Sequence, residues 1–557
     1  MVAKQWTWIA EKPSNAVSSP NVFYHQTRYL RGDAMPPSLK PQVCDVLVIG
    51  GGINGAGIAR DAAGRGLTTV LCEKDDLASH TSSASTKLIH GGLRYLEQYD
   101  FVLVRKALME REILLRAAPH LIWPLQFVMP HDSSQRPAWV IRAGLLLYDC
   151  LARRELLPAS RGLDLHKHVA GTVLKPSYRR GFSYADGWVD DARLVILNAV
   201  DAADRGATIL TRTACIALQR NALDWHATLR SSEGVERTVQ ARAIVNATGP
   251  WASRFSTQIA QLRPSVRTRL IKGSHIVVRK LFDHTCAYLF QNSDGRIVFA
   301  IPYEQHFTLI GTTDVEHDEA LDTIAVSPAE VTYLCTAVSR YFSKPVLPAD
   351  VVWAYAGVRP LQEEVVAEGA SEAAARPTSA SRVTRDYQLA IDVSAAPLIN
   401  VFGGKLTTYR KLAEETVSRL GPLLANAAGP WTASACLPGG DLYGAAPSNR
   451  AVLEFEAWVT RLRERHSWLA PTLAARYARA YGTRVERLLA GCTSMAALGE
   501  EILPGLFAAE VRYLMQAEWA RCAADILWRR SKLGLHLDAQ AAARLDAWIV
   551  AQEEMVT

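Results

Sequence analysis

The sequence predicts an α/β protein with a Rossmann-like nucleotide-binding domain, an inserted mixed-sheet domain and a C-terminal all-helical domain. Three observations carry this. Between Asp45 and Glu73, a strand, a glycine turn, a helix and a second strand follow one another within about 30 residues, the context a nucleotide fingerprint requires. Between Arg267 and Trp353, apolar and polar residues alternate, as in strands with one buried face. Beyond Leu437-Pro438-Gly439-Gly440 the composition shifts to Ala, Leu, Arg and Glu at helical spacing. A chain of 557 residues is too long for one core.

Residues 1–42 hold Trp6, Trp8, Phe23 and Tyr24 among prolines and polar residues, without the apolar core of a signal peptide. They read as an N-terminal extension to the fold and a candidate for disorder. Val46 to Ile49 then form an apolar run suited to a parallel strand buried on both faces. Gly50-Gly51-Gly52-Ile53-Asn54-Gly55 follows. Here Gly50 permits the tight turn, Gly52 lets the backbone approach a pyrophosphate, and Gly55 lets helix and strand pack closely. A helix from Ala56 to Gly66 turns its unpaired N–H groups and positive dipole end to the phosphates. The second strand, Thr69 to Cys72, ends at Glu73, placed to take a ribose 2′-OH and to repel the 2′-phosphate of NADP.

The Ser/Thr-rich run from Ala78 to Thr86 has the composition of a solvated linker. Its position argues otherwise: hydroxyls and Lys87 lie just downstream of a pyrophosphate site and lead into Gly91-Gly92, where backbone has room to approach a flat ring. Residues 100 to 155 carry helical patterning. Trp139 to Tyr148 is their most apolar stretch, bracketed by Arg136, Arg142, Arg153 and Arg154, and fits either a membrane interface or a buried core helix. A helix is expected at about 190–206, with strands at Ala207–Thr211 and Ala243–Val245. The latter runs into Asn246-Ala247-Thr248-Gly249, which returns the chain to the nucleotide domain. Ser274–Arg279 and Arg296–Ile301 alternate and would floor a substrate domain. Leu398–Phe402 re-enters the cofactor domain, and Gly403 to Thr408 opens a helix over Tyr409–Leu420, a second glycine-rich helix start. Helical spacing recurs at Trp468–Tyr481 and Ala508–Leu533, with Arg529 and Arg530 expected on a solvated or partner-facing surface.

A net charge of +7 over this length argues against a dedicated nucleic-acid surface and favours an anionic substrate or membrane face. Nine cysteines without a C-x-x-C pair indicate neither a disulfide framework nor a zinc site, so no metal centre is expected and a reducing compartment fits. No run of 18 apolar residues occurs, so no transmembrane helix is expected.

The segment Ser82 to Glu97, with Gly50 to Gly66 before it, resembles the FAD-dependent glycerol-3-phosphate dehydrogenases of aerobic bacteria. Leu270–His275, Ile310–Asp314, Tyr355–Leu361, Thr384–Tyr387 and Phe402–Tyr409 agree. The likeness spans about residues 43 to 540 and leaves out the extension and a Glu/Ala-rich insert at about 363–381. It implies an oxidoreductase region at 43–430, with FAD-binding segments at about 43–100, 190–260 and 385–425, and a helical domain at 431–557. It implies oxidation of sn-glycerol 3-phosphate to dihydroxyacetone phosphate by hydride transfer to FAD, with electrons passed to a membrane quinone. It also implies a homodimer held peripherally on the cytoplasmic face of the inner membrane.

For the site, the resemblance implies Arg94 and Arg359 on the phosphate, with Tyr95 and Lys405 as further donors. The base is expected at His275 with His90 as the alternative, which makes His275, His90, Arg359 and Lys405 the catalytic set. Besides the first turn and Glu73, FAD is expected to meet Lys74, Thr81, Ser82, Ser83, Lys87, Leu88, His90, Gly91 and Gly92. It is also expected to meet Ala247, Thr248 and Gly249, and Gly404, Lys405, Leu406, Thr407 and Thr408. A single arginine is ordinarily a surface ion pair and a lone strand histidine a satisfied structural residue. Competing readings are a glycerol-3-phosphate oxidase using O₂, an amine or amino-acid oxidase on the same fold, and a non-catalytic protein that retains FAD.

Overall fold

The structure, a computed structural model, describes residues 41–133, 135–262, 267–363 and 386–556. The expectations for residues 1–40 and for the insert beyond Glu363 lie outside the described residues.

The strand Gln42–Ile49 runs parallel between Thr69–Cys72 and Glu236–Asn246. Thr208–Leu210 extends the parallel sheet beyond the former and Leu398–Phe402 beyond the latter. Val46, Leu47 and Val48 are fully buried, which is why this strand reads as an unbroken apolar run. The chain fills one side of its first strand before crossing to the other, so strand order reverses at that strand, and a crevice opens where the carboxyl ends diverge. Gly50, Gly249, Gly403 and Gly404, all at positive φ, follow those ends. The helix Ile53–Gly64 packs on Tyr409–Leu420 so closely that a Cβ on Gly57 would lie 2.7 Å from the Tyr409 ring.

Among the described residues, a second, mixed sheet of ten strands covers the crevice. Its long strand Arg267–Arg279 lies antiparallel between Phe307–Gly311 and Val351–Glu363. That register sets His275 between Gly311 and Tyr355. Three stretches distant in sequence, Leu270–His275, Ile310–Asp314 and Tyr355–Leu361, thereby meet on adjoining strands and their ends.

Two local expectations are corrected. Residues 100–155 are not helical throughout: the strand Ile122–His131 separates the helices Phe101–Ala117 and Ala138–Cys150. Leu125, Phe127 and Met129 enter one core and Val128 another, so burial on both faces erased the alternation that marks a strand. Ala508–Leu533 is not continuous either. The helix Ala508–Glu518 stops at Trp519, which adopts φ 57°, and the chain resumes as a π-helical turn at Asp525–Arg530.

The C-terminal region has its own core, from Leu442 to Ile549, built on helices such as Phe455–Arg465, Pro471–Tyr481 and Ala541–Val556. One short ribbon, Glu501–Leu503 with Leu506–Phe507, accompanies them. Arg529 and Arg530 do not form a solvated face: both bind Asp76 of the parallel-sheet domain, and Arg530 is buried.

Candidate active site

A cleft of about 1250 Å³, its open mouth included, lies over the carboxyl ends of the parallel strands. Gly50 and Gly404 both line it, so the two glycine turns face one cavity. They are also joined directly, because Asn54 Nδ2 donates to the Gly403 carbonyl at 3.1 Å. The glycines are required by space. A Cβ on Gly50 would sit 2.5 Å from the Ala247 carbonyl oxygen, one on Gly55 would strike the Gly50 carbonyl, and one on Gly404 would meet Asn54. The helix Ile53–Gly64 begins at Gly52 without a capping side chain or an acid in its first turn, which leaves its positive end to the cleft. The Ile53 N–H is spoken for by Ser82 Oγ at 3.0 Å.

Glu73 lines the cleft and is nearly buried. Its carboxylate accepts the Gly51 N–H at 2.6 Å and the Asp75 N–H at 2.9 Å, and desolvation outweighs these bonds to raise its pKa. Lys74 stands over the Trp251 ring at 4.5 Å and pairs with Asp322 at 2.7 Å. Thr81, Ser82, Ala247, Thr248 and Gly249 also line the cleft. These donors, a bare helix end and glycine backbones suit a dinucleotide pyrophosphate with a ribose against Glu73.

Several expected cofactor residues are not among those lining the cleft. Lys87 is fully buried, its ammonium 2.6 Å from Asp191 and 3.1 Å from the Ser83 carbonyl; burial pulls its pKa down against the pull of Asp191. It braces the Ser/Thr run instead of lining the cleft. Gly51 packs on Glu73 and Leu77, and Leu88 lies buried in a short strand. The Gly91 N–H is taken by Tyr148 Oη, and its Cα is walled in by Leu108. Gly92 supports the Tyr95 ring. Thr407 Oγ1 accepts the His90 N–H at 3.1 Å, which ties the second glycine turn to the His90 loop. Ser83, Leu406 and Thr408 are not among the cleft-lining residues.

Beyond Pro360, which lines the cleft, the charged side chains gather. Arg359 and Arg94 converge on one carboxylate, Asp314, at 3.2 and 3.8 Å. Arg359 also donates to the Thr313 carbonyl and lies flat over Gly273, where a Cβ would come within 2.2 Å of its Nη2. The Lys405 ammonium is 3.8 Å from the centroid of the Tyr95 ring, next in chain to Arg94. His275 stacks on Tyr355 at 4.9 Å, and its Nε2 is 2.9 Å from Thr86 Oγ1. Burial, then the nearby Arg359 and Lys87, hold this imidazole well below its usual pKa, so it is neutral. Nδ1 is enclosed without a partner and the residue is 2% exposed. His275 thus packs between Tyr355 and Gly311 with its Nε2 on Thr86, which is partly exposed. His90 is partly exposed.

Sequence reasoning did not single out Thr86, Asp314 or the cleft residues Trp251 and Cys215. A hydroxyl in a Ser/Thr-rich run and one carboxylate among many carry no signal without the strand register.

The FAD dependent oxidoreductase family profile matches residues 45–410, and that of the C-terminal domain of alpha-glycerophosphate oxidase matches residues 431–553. The chain is 50% identical to a glycerol-3-phosphate dehydrogenase of Pseudomonas aeruginosa over 92% of its own length and 96% of that protein's. It is 48% identical to a D-erythritol 1-phosphate dehydrogenase of Brucella abortus, covering 91% and 98%. Among solved structures it resembles the glycerol-3-phosphate dehydrogenase of Bacillus halodurans complexed with FAD, at TM-score 0.73 and 26% identity, covering 92% and 91%.

Proposed function

Because the chain belongs to the FAD-dependent oxidoreductase family and is an enzyme of the glycerol-3-phosphate dehydrogenase kind, we propose that it oxidises sn-glycerol 3-phosphate to dihydroxyacetone phosphate and passes the electrons to a membrane quinone. The observation that carries the substrate reading is the pair Arg94 and Arg359, set on one carboxylate at the end of the cofactor cleft. A phosphate monoester is close to dianionic at neutral pH and suits two planar guanidinium groups where a single carboxylate now sits. When bound, FAD supplies the acceptor for the hydride leaving C2. The chain's own task is to grip the phosphate, orient C2 toward the ring and remove the hydroxyl proton. Arg94 and Arg359 do the first, with Tyr95 and Lys405 adding donors to the substrate oxygens. The proton passes from the C2 hydroxyl to His275 Nε2 through Thr86 Oγ1, 2.9 Å away. His90, which is partly exposed, is the alternative acceptor.

For the quinone and membrane parts of the reading, the support is an apolar surface. On the helix Ala138–Cys150, Leu145 and Tyr148 are buried but Trp139 is 74% and Leu146 54% exposed, with Arg136 and Arg153 alongside. Among the described residues no helix is long and apolar enough to cross a membrane, so contact would be peripheral. We read the cytoplasmic face of the inner membrane as the location and a homodimer as the assembly. The D-erythritol 1-phosphate relative favours a second reading, a longer polyol phosphate gripped by the same arginines.

The test is anaerobic bleaching of the flavin absorbance of purified protein. Bleaching by glycerol 3-phosphate, and reoxidation faster by a quinone analogue than by O₂, is expected. Bleaching by erythritol phosphate alone would select the second reading, and faster turnover with O₂ would make the protein an oxidase. No bleaching by either polyol phosphate would defeat both.

A further inference from the structure

We propose that the C-terminal domain is a positioning device for the cofactor. Arg529 and Arg530 clamp the turn that carries Glu73, and so set the affinity for FAD.

The turn Glu73–Asp76 is held from two sides. On the sheet side, the Thr213 N–H donates to the Glu73 carbonyl and the Arg212 N–H to the Asp75 carbonyl, both at 2.7 Å. On the other side, the Asp76 carboxylate is buried and takes Arg529 Nε at 2.6 Å and both terminal nitrogens of Arg530, Nη2 at 2.8 Å. The clamp closes on itself. Arg529 also bonds Asp525, which takes Arg212 Nη2 at 2.8 Å, so the residue whose backbone holds Asp75 is tied to the same π-helical turn. Its neighbour Trp528 stacks on Trp353 of the mixed sheet at 4.6 Å. Three consecutive side chains thus fix the ribose turn and the substrate sheet to one segment, in the rare helix form that recurs at functional sites.

Docking alone does not require this placement. Two other long-range pairs at the same interface, Arg193 with Glu518 and Arg484 with Asp204, grip the helix Asp191–Asp204, which lines no part of the cleft. Asp76 instead follows the cleft residues Glu73 and Lys74 by three and two positions. Glu73 must present its carboxylate at a fixed height above Gly51, and ordering that turn in advance lowers the cost of binding.

The proposal rests on Glu73 facing the ribose of FAD. It is tested by titrating flavin-stripped full-length protein with FAD and following flavin fluorescence, alongside thermal unfolding of the stripped form. Arg530→Met should raise the Kd for FAD at least tenfold and Arg529→Gln at least threefold. Arg484→Met, which loosens the same interface away from the turn, should lower the melting temperature but leave Kd within twofold. An unchanged Kd in Arg530→Met, or an equal rise in Arg484→Met, overturns the clamp. If Arg530→Met does not fold, Arg529→Gln decides by the same criteria. Glu73→Gln separates the premise: an unchanged Kd there rejects the ribose contact, whatever the arginine variants do.

Discussion

The two ends of the crevice are built on opposite plans. At the end proposed for the nucleotide, the features are mostly backbone: glycine turns at Gly50 and Gly404, an uncapped helix start at Gly52, and one carboxylate, Glu73, held by the N–H groups of Gly51 and Asp75. At the end proposed for the substrate they are almost all side chain: Arg94, Arg359, Lys405, His275, Thr86 and Asp314, carried by strands and loops far apart in sequence. Backbone recognition tolerates changes of side chain but not of volume. Side-chain recognition is the reverse, and each substitution should report on one function.

The largest effect is expected at the substrate end, from the proton acceptor. His275→Ala should slow flavin reduction by at least about 100-fold in stopped flow with nearly unchanged substrate binding. Thr86→Val should reproduce roughly tenfold or more of it, if the hydroxyl relays the proton. If His90→Ala is slow and His275→Ala is fast, the acceptor is His90. The pH profile sharpens this. Burial holds the His275 imidazole neutral well below pH 6.5. The neutral ring is the competent form, so competence is lost only as pH falls through that depressed value. An acid limb of kcat near 6.5 would move the base elsewhere.

Next comes the phosphate grip. Arg359→Ala should cost at least about 2 kcal/mol of substrate interaction, roughly 30-fold in kcat/KM, without changing FAD content. A value within threefold of wild type would remove Arg359 from the substrate site. The nucleotide end should answer oppositely. Gly50→Ala forces a Cβ to within 2.5 Å of the Ala247 carbonyl at φ 111°. Strain of about 1–3 kcal/mol should weaken FAD roughly tenfold, while the flavin-loaded fraction keeps its KM. A raised KM with full FAD occupancy would mean that the two ends are not separable.

This division also explains what the sequence could reveal. The nucleotide end is contiguous: strand, glycines, helix and Glu73 fall within one stretch, so spacing alone exposes it, while the packing of Gly51 on Glu73 and of Lys87 on Asp191 leaves no such trace. The substrate end exists only once Arg267–Arg279 is paired with both of its neighbours, and pairing across such distances leaves no local trace. Arg94, Arg359 and His275 were reached through resemblance; nothing in the residues themselves distinguished them from surface arginines and a strand histidine. The docking of Arg530 on Asp76 was illegible for the same reason, since an arginine in a helical stretch looks solvated until a carboxylate more than 450 residues away in the chain is placed against it.

Asp314 is the subtlest member of the side-chain end, and it offers the smallest and most discriminating test. Its carboxylate stands 3.2 Å from Arg359 and 3.8 Å from Arg94, where it offsets part of the positive charge proposed to meet the substrate phosphate. If it serves only as a resident counter-ion, an arriving phosphate competes with it. Asp314→Asn should then lower KM for glycerol 3-phosphate by about threefold, a modest gain because the group is partly solvated and screened. Inhibition by inorganic phosphate should strengthen in parallel, and both effects should fade as salt is raised. If the carboxylate instead holds the two guanidinium groups in register, the same substitution raises KM and leaves phosphate inhibition weaker. The sign of one steady-state constant therefore tells whether the arginines are ordered by the protein or by their substrate, which is the point on which the two ends of the crevice differ.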